Sequence, residues 1–231
     1  MPPTVLLTRP QESSRRFAAE MAALGLPVLV SPIIEIVPLA HDDAAIRAAR
    51  GLVLTSAHAV PAAGEGQGRP AICVGPATAE AARRAGFDVT EGPGDAARMM
   101  PLLRDLGAGW LHLHGRHVAR VLPVPGIEVY DQQARPLSAE ARELLSGAGP
   151  VILPLFSPRS AALLGAAVAG AEAPLWLAAI SPAARAAWTG PVAREAVAAD
   201  PDAPGVRRAV AALLAAEYSD QRRVEAPSGR D

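Results

Sequence analysis

The stretch Ile72-Cys73-Val74-Gly75-Pro76-Ala77-Thr78-Ala79-Glu80-Ala81-Ala82-Arg83-Arg84-Ala85-Gly86-Phe87 decides how the chain folds. Three apolar residues run into Gly-Pro, and an Ala-rich, helix-forming run follows and stops at Gly86. The order is strand, tight turn, helix, with glycine closing the helix because it takes the left-handed conformation without steric cost. Such a turn aims the free N–H groups of a helix N-terminus above the strand end, where anions bind. The pattern returns at Ala179-Ile180-Ser181-Pro182-Ala183-Ala184-Arg185-Ala186-Ala187-Trp188-Thr189-Gly190, with Ser181 for Gly75 and Ala184 for Thr78.

The repeat extends upstream. Leu52-Val53-Leu54-Thr55-Ser56-Ala57-His58-Ala59-Val60 precedes the first copy, and Val151-Ile152-Leu153-Pro154-Leu155-Phe156-Ser157-Pro158-Arg159-Ser160-Ala161 precedes the second. Each is an apolar strand ending in a hydroxyl residue, then a small-residue helix start. Two modules with the same order of parts point to two similar α/β domains. The alternative is that any two strand–helix units look alike in an Ala-rich chain. Strand–helix alternation implies parallel sheets covered on both faces. In such folds ligands bind at the C-terminal ends of strands, and Thr8, Ser56, Gly75, Gly115, Ser157 and Ser181 all fall at such ends.

Composition narrows the function. The chain has 231 residues, enough for one large domain or two smaller ones, and half of it is hydrophobic. The net charge is −1 and lysine is absent, so no basic nucleic-acid surface, P-loop or Schiff base is expected. The single cysteine, Cys73, lies in an apolar strand and suits a reducing compartment. No signal-peptide core and no long apolar run stands out, so the expectation is a soluble cytoplasmic protein with no membrane contact.

Along the chain the pattern predicts a strand at Thr4–Thr8 and a helix at Gln11–Leu24 stopped by Gly25. A strand at Val28–Val30 and an extended Ser31–Pro38, read as a linker into another domain, follow. A short helix at Asp42–Arg50 is capped by Asp42 or Asp43. Gly and Pro across 61–70 keep any helix after Ser56 short. A strand at Asp88–Thr90 leads into a helix reaching Leu106, with Pro101 marking a kink or a late start. Strands follow at Trp110–His114 and Gly126–Tyr130. A helix at Ser138–Leu145 then precedes strand–helix pairs at 151–156/160–169 and 175–180/182–188. A strand at Arg194–Val197 and a closing helix at Gly205–Tyr218 end the pattern, with Val206, Val210, Leu213 and Leu214 inward. Residues 219–231 are polar and read as a disordered tail.

No Gly-x-Gly-x-x-Gly opens a helix after the first strand, so a dinucleotide site is not expected. His112, His114 and His117 invite a metal reading, but no carboxylate or cysteine stands beside them in sequence, and the expectation is no metal. Ser157-Pro158-Arg159-Ser160 lacks a nucleophile elbow and suits capping or anion binding. Tyr130 ends an apolar strand; it is either a buried tyrosine with a satisfied hydroxyl or a weak acid facing a cleft.

These pieces resemble the uroporphyrinogen-III synthase family. The resemblance rests on Val5-Leu6-Leu7-Thr8-Arg9-Pro10, Thr55-Ser56-Ala57-His58-Ala59-Val60, Val74-Gly75-Pro76-Ala77-Thr78-Ala79, Val129-Tyr130, Phe156-Ser157-Pro158-Arg159-Ser160-Ala161 and Ile180-Ser181-Pro182, in that order. It implies two parallel-sheet α/β domains joined by a two-stranded linker, one inserted in the other: residues 1–37 with 132–231, and residues 38–131. Ser31–Pro38 and Gly126–Tyr130 are then the linker strands. It also implies a lyase that cyclises hydroxymethylbilane with inversion of the last pyrrole ring, without cofactor. Tyr130 would be the acid. Thr8, Arg9, Thr55, Ser56, Gly75, Thr78, Gly115, Arg116, Ser157, Ser160 and Ser181 would bind substrate. A monomer is expected, with transient contact with the preceding pathway enzyme. His58 stands where the family often has Asn, Ala184 replaces an expected Thr, and 61–70 is shortened. Two rival readings are a two-lobed small-molecule sensor and a cofactor-free glycosyl or phosphoryl enzyme; the lack of clustered carboxylates argues against the latter.

Overall fold

The computed structural model describes residues 2–94, 98–118 and 120–225, with side chains to residue 217. The elements in chain order are β1 (Thr4–Leu7), α1 (Gln11–Ala22), β2 (Val28–Val30), β3 (Ile34–Pro38), α2 (Asp43–Ala48), β4 (Gly51–Leu54), a 3-10 turn (Ala57–Ala59), α3 (Val60–Ala63), β5 (Pro70–Cys73), α4 (Pro76–Arg84) and β6 (Asp88–Glu91). They continue with α5 (Met100–Leu103), β7 (Trp110–Gly115), β8 (Gly126–Ala134), α6 (Ala139–Leu145), β9 (Val151–Leu155), α7 (Pro158–Ala167), β10 (Leu175–Ala179), α8 (Pro182–Ala186), β11 (Arg194–Val197) and α9 (Ala203–Glu225). The chain divides into two compact units: one takes residues through Glu35 and from Ala134 onward, the other Ile36–Gln133. The divisions fall within β3 and before the last residue of β8.

The first unit holds a five-stranded sheet of order β11-β10-β9-β1-β2, with every described pair parallel. Its central strands are apolar on both faces, as a sheet covered by helices on both sides requires. Val5, Leu7, Ile152 and Trp176 pack against Phe17 and Met21 of α1 and against Val206 and Val210 of α9. The second unit holds the sheet β3-β8-β7-β4-β5-β6. Its pairs β4 with β5, β4 with β7, β5 with β6 and β7 with β8 are parallel. β3 is different: Leu39 N–H donates to the Val129 carbonyl and Arg135 N–H to the Ile33 carbonyl, so the partner number falls as the chain advances and the pair is antiparallel.

Both strand orders reverse once. In the first sheet the chain goes outward from β1 to β2, then returns to β9 on the other flank of β1 and proceeds to β10 and β11. In the second it runs β4, β5, β6 one way and β7, β8 the other. The reversals lie at the β1/β9 and β4/β7 neighbours, and open α/β sheets bind ligands in the crevice at such points.

Pro154 sits inside the central strand β9, where a missing N–H normally excludes proline. β9 pairs with β10 along its whole length, whereas its pairing with β1 is confined to Thr4–Val151 and Val5–Ile152. The missing donor therefore falls where β1 and β9 part, next to the reversal.

Several sequence expectations change. β8 extends to Ala134 instead of ending at Tyr130, because β3 offers it an antiparallel partner. The helix expected up to Leu106 is only Met100–Leu103: Pro101 sits in its first turn, where proline is tolerated, so the late start is realised. Residues 95–97, ahead of it, lie outside the described residues. Asp42 is the cap of α2, accepting from Ala45 N–H. α9 continues to Glu225, across much of the expected tail; Gln221, Arg222, Arg223 and Glu225 are good helix formers. Residues 226–231 lie outside the described residues. Among the described residues no helix is long and apolar enough to cross a membrane.

Leu153 is fully buried in β9. Leu153→Ala is expected to destabilise the protein by about 2–5 kcal/mol in urea unfolding; a loss under about 1 kcal/mol would show that this position is not tightly packed.

Candidate functional site

The site in the second unit follows from strand register. Leu54 is level with Leu113 of β7 and with Cys73 of β5, and Gly115 is level with Tyr130 of β8. Counting on by two from Leu54 puts Ser56, Gly75, Gly115 and Tyr130 in one row across four strands at the C-terminal edge. Thr55 stands one residue back, at the β4/β7 reversal. The row depends on a register shift at His114/Gly115, which leaves Arg116 N–H bonded to the Tyr130 carbonyl at 2.9 Å.

Tyr130 is 5% exposed and belongs to the core cluster of this unit. Its ring lies across the end of β7: a Cβ on Gly115 would come within 2.6 Å of the ring and 3.0 Å of the phenol oxygen. Position 115 therefore needs glycine. The His58 imidazole meets the Tyr130 ring edge to face at 5.8 Å. Tyr130 is mid-strand, not the strand terminus the pattern suggested, yet the parallel register still puts it at the edge where β7 ends.

Across the reversal, Thr55 Oγ1 and His112 Nε2 lie 2.9 Å apart. His112 is buried, and burial, aided by the nearby His114, pushes its pKa down to about 4. The two rings lie 4.8 Å apart. His114 Nδ1 is 2.8 Å from the Gly115 carbonyl, which can only accept, so that nitrogen carries the proton. Among the described residues no three His, Cys, Asp or Glu side chains gather as a metal site would require.

Arg116 is held within its own unit. Its guanidinium reaches Asp131 at 3.1 Å and Glu128 at 3.5 Å, and Asp131 also accepts from Gln132 N–H. Half of the Arg116 side chain is exposed, which limits the worth of these pairs.

The helix starts differ in what they offer. Gly75 precedes the nine-residue α4 and has no side chain to cap it, while Thr78 in its first turn is buried. A Cβ on Gly75 would meet Gly94 Cα at 3.1 Å, where the 92–94 loop crosses the end of β5. Ser56 precedes only a 3-10 turn of three residues and accepts from His58 N–H.

In the first unit, Leu155 is level with Ala179, so Ser157 and Ser181 stand side by side. Ser157 Oγ accepts from Ser160 N–H, and the two hydroxyls lie 2.8 Å apart. Ser181 Oγ accepts from Ala184 N–H, at the start of the five-residue α8. Ala184 is fully buried. Thr8 is buried at the end of β1. Arg9 follows it, at the β1/β9 reversal, with its guanidinium 3.9 Å above the Phe156 ring. Phe156 in turn meets Phe17 edge on at 5.1 Å. Burial, then repulsion from Arg16, lowers the Arg9 pKa to about 10, against an opposing pull from Glu20. Arg9 makes no ion pair among the described residues.

The structure thus gathers Thr55, Ser56, Gly75, Gly115 and Tyr130 in one unit and Arg9, Ser157, Ser160 and Ser181 in the other. Sequence reasoning missed Phe156 as the platform for Arg9, Asp131 as the anchor of Arg116, and the service of His112 to Thr55. Only the last left a signal: a histidine on a strand beside one that ends in Thr-Ser.

Both units are doubly wound with hydroxyl residues at strand ends; the second has a helix start without a side-chain cap, and the first a guanidinium that makes no ion pair among the described residues, groups of the kind that can hold anions. The chain belongs to the uroporphyrinogen-III synthase family: the family profile described as uroporphyrinogen-III synthase HemD matches residues 15–207. In fold it is similar to the crystal structure of uroporphyrinogen-III synthetase from Helicobacter pylori 26695, with a TM-score of 0.60 and 16% identity over 92% of this chain and 100% of that one. It is also similar to a mutant uroporphyrinogen III synthase from the extremely thermophilic bacterium Thermus thermophilus, with a TM-score of 0.50 and 14% identity over 91% and 99% of the two chains. No curated protein sequence matches significantly.

Because His112 is neutral when folded and its pKa returns to about 6.5 on unfolding, the unfolded chain binds the extra proton. Its contribution is complete above pH 6.5 and is lost as pH falls toward 4, by about 3 kcal/mol in all. Urea unfolding at pH 7.5 and 4.5 is expected to show this loss, and His112→Leu should shrink it; an unchanged pH dependence in the variant would assign the loss to other groups.

Proposed function

We propose that this protein converts hydroxymethylbilane into uroporphyrinogen III, closing the linear tetrapyrrole while inverting its last ring. The observation that carries this is the family match over residues 15–207, which includes the C-terminal edges of both sheets apart from Thr8 and Arg9. On this reading the protein is a cofactor-free lyase, working as a cytoplasmic monomer that receives substrate from the preceding pathway enzyme.

The chemistry accords with the modest inventory of reactive groups. The substrate is electron-rich and closes unaided to the wrong isomer. A catalyst must hold it so that the substituted carbon of the last ring is the one that attacks. One acid must protonate the departing hydroxyl, which leaves as water while the same pyrrole ring gives up its N–H proton, generating an azafulvene. Attack by the substituted carbon gives a spiro intermediate, which rearranges and closes. Tyr130 is the acid in this scheme, its phenol O–H supplying the proton. Its setting, across Gly115 and beside His58, keeps the ring in one orientation.

The eight substrate carboxylates need donors. Backbone N–H groups at the starts of α4 and α7, the hydroxyls of Thr55, Ser56, Thr78, Ser160 and Ser181, and Arg9 supply them. Of the two arginines expected to help, Arg9 is favoured, because Arg116 is already paired with Asp131 and Glu128.

Supplying hydroxymethylbilane and separating the products tests the proposal. Uroporphyrinogen III is expected; isomer I alone, at the uncatalysed rate, rejects the activity. Tyr130→Phe is expected to slow single-turnover formation of isomer III severalfold or more, short of the factor of about 10²–10⁴ typical of a positioned acid because loss of the hydroxyl is already feasible unaided, and parental turnover would make Tyr130 a packing residue only. Arg9→Gln is expected to raise KM by about 10-fold or more, as loss of a charged hydrogen bond does; an unchanged KM removes Arg9 from the binding map.

A further inference from the structure

The buried imidazole of His112 has no part in the scheme above, yet it is bonded to a residue of the rim. The Thr55–His112 contact spans β4 and β7, the neighbours at which the strand order of this sheet reverses. Thr55 is half-buried at the strand end and His112 lies beneath it in the sheet. We propose that His112 is a positioning residue: its Nε2–H donates to Thr55 Oγ1, leaving the threonine's own proton for a carboxylate of the substrate. The inference rests on the substrate proposed above.

Three observations support that direction. The one hydrogen bond the ring makes among the described residues is at Nε2, so a proton placed there meets Thr55 Oγ1. Neighbouring His114 commits its Nδ1 proton to the Gly115 carbonyl, so it offers His112 no donor from that atom. The ring is neutral at working pH, having been pushed down to about 4 by burial, so it has one proton to place. A threonine hydroxyl that accepts from a buried N–H is fixed in rotation and becomes a better-directed donor. The arrangement supplies a directed neutral donor where a cation would have to be buried, in a chain without lysine.

The test has two arms. In ¹⁵N-labelled protein, the NMR spectrum of His112 is expected to show the proton on Nε2 and a bare Nδ1; a bare Nε2 overturns the proposal. In kinetics at pH 7.5, Thr55→Val and His112→Leu are each expected to raise KM for hydroxymethylbilane by about 2- to 10-fold, the range for one neutral hydrogen bond, with kcat little changed. The double variant should be no worse than the poorer single one, and His112→Gln, which keeps a donor, should recover part of the loss. Additive effects, or a loss in kcat alone, overturn the proposal. If His112→Leu does not fold, the tautomer in the parent protein decides. A parent that gives only isomer I refutes the proposed activity, and the tautomer then still decides the bond's direction.

Discussion

Parallel strand pairing is the constraint on which this protein depends. In a parallel sheet all strands point one way, so their C-terminal ends form one edge and every helix that follows a strand starts there. Residues remote in sequence become neighbours by register alone. Ser56, Gly75, Gly115 and Tyr130 come from four separate stretches, yet they share a row because Leu54, Cys73 and Leu113 are level. The same rule in the other unit sets Ser157 beside Ser181. The two reversals of strand order add a second requirement, because adjacent connections leave the edge in opposite directions there and open a crevice.

Around those reversals the chain departs from ordinary packing rules. Pro154 stands in a central strand, and the ladder from β1 to β9 stops before it. Arg9 is desolvated over Phe156 and makes no ion pair among the described residues. His112 is a buried imidazole kept neutral. Gly115 is denied a side chain by the phenol above it. Such local conflicts cost stability and gather where a protein must meet a ligand. The rest of the two cores obeys the rules closely, with apolar central strands covered by apolar helix faces.

The electrostatic character of the rims is mild. Lysine is absent, and the two arginines at strand ends behave differently. Arg116 is anchored on Asp131, so its charge is largely answered inside its own unit. Arg9 makes no ion pair among the described residues and feels only the pull of Glu20. On the proposed reading neutral donors carry most of the anion binding, an arrangement that suits many weakly held carboxylates better than a single tightly clamped one.

The sequence by itself determined the parts. Apolar runs followed by Gly-Pro or Ser-Pro and an Ala-rich helix state strand, turn and helix through local preferences, and their alternation implies parallel sheets. Capping residues such as Asp42 and Ser157 were legible because a cap is a contact over three residues. The tertiary structure alone decided which parts meet. That β8 runs on to Ala134 depends on β3 as an antiparallel neighbour. That Thr55 faces His112, that Phe156 supports Arg9 and that Asp131 holds Arg116 depends on sheet order and on one register shift. The physical reason is that helix starts and turns are set by neighbours along the chain, whereas strand order is set by burial of whole faces, which no short stretch encodes.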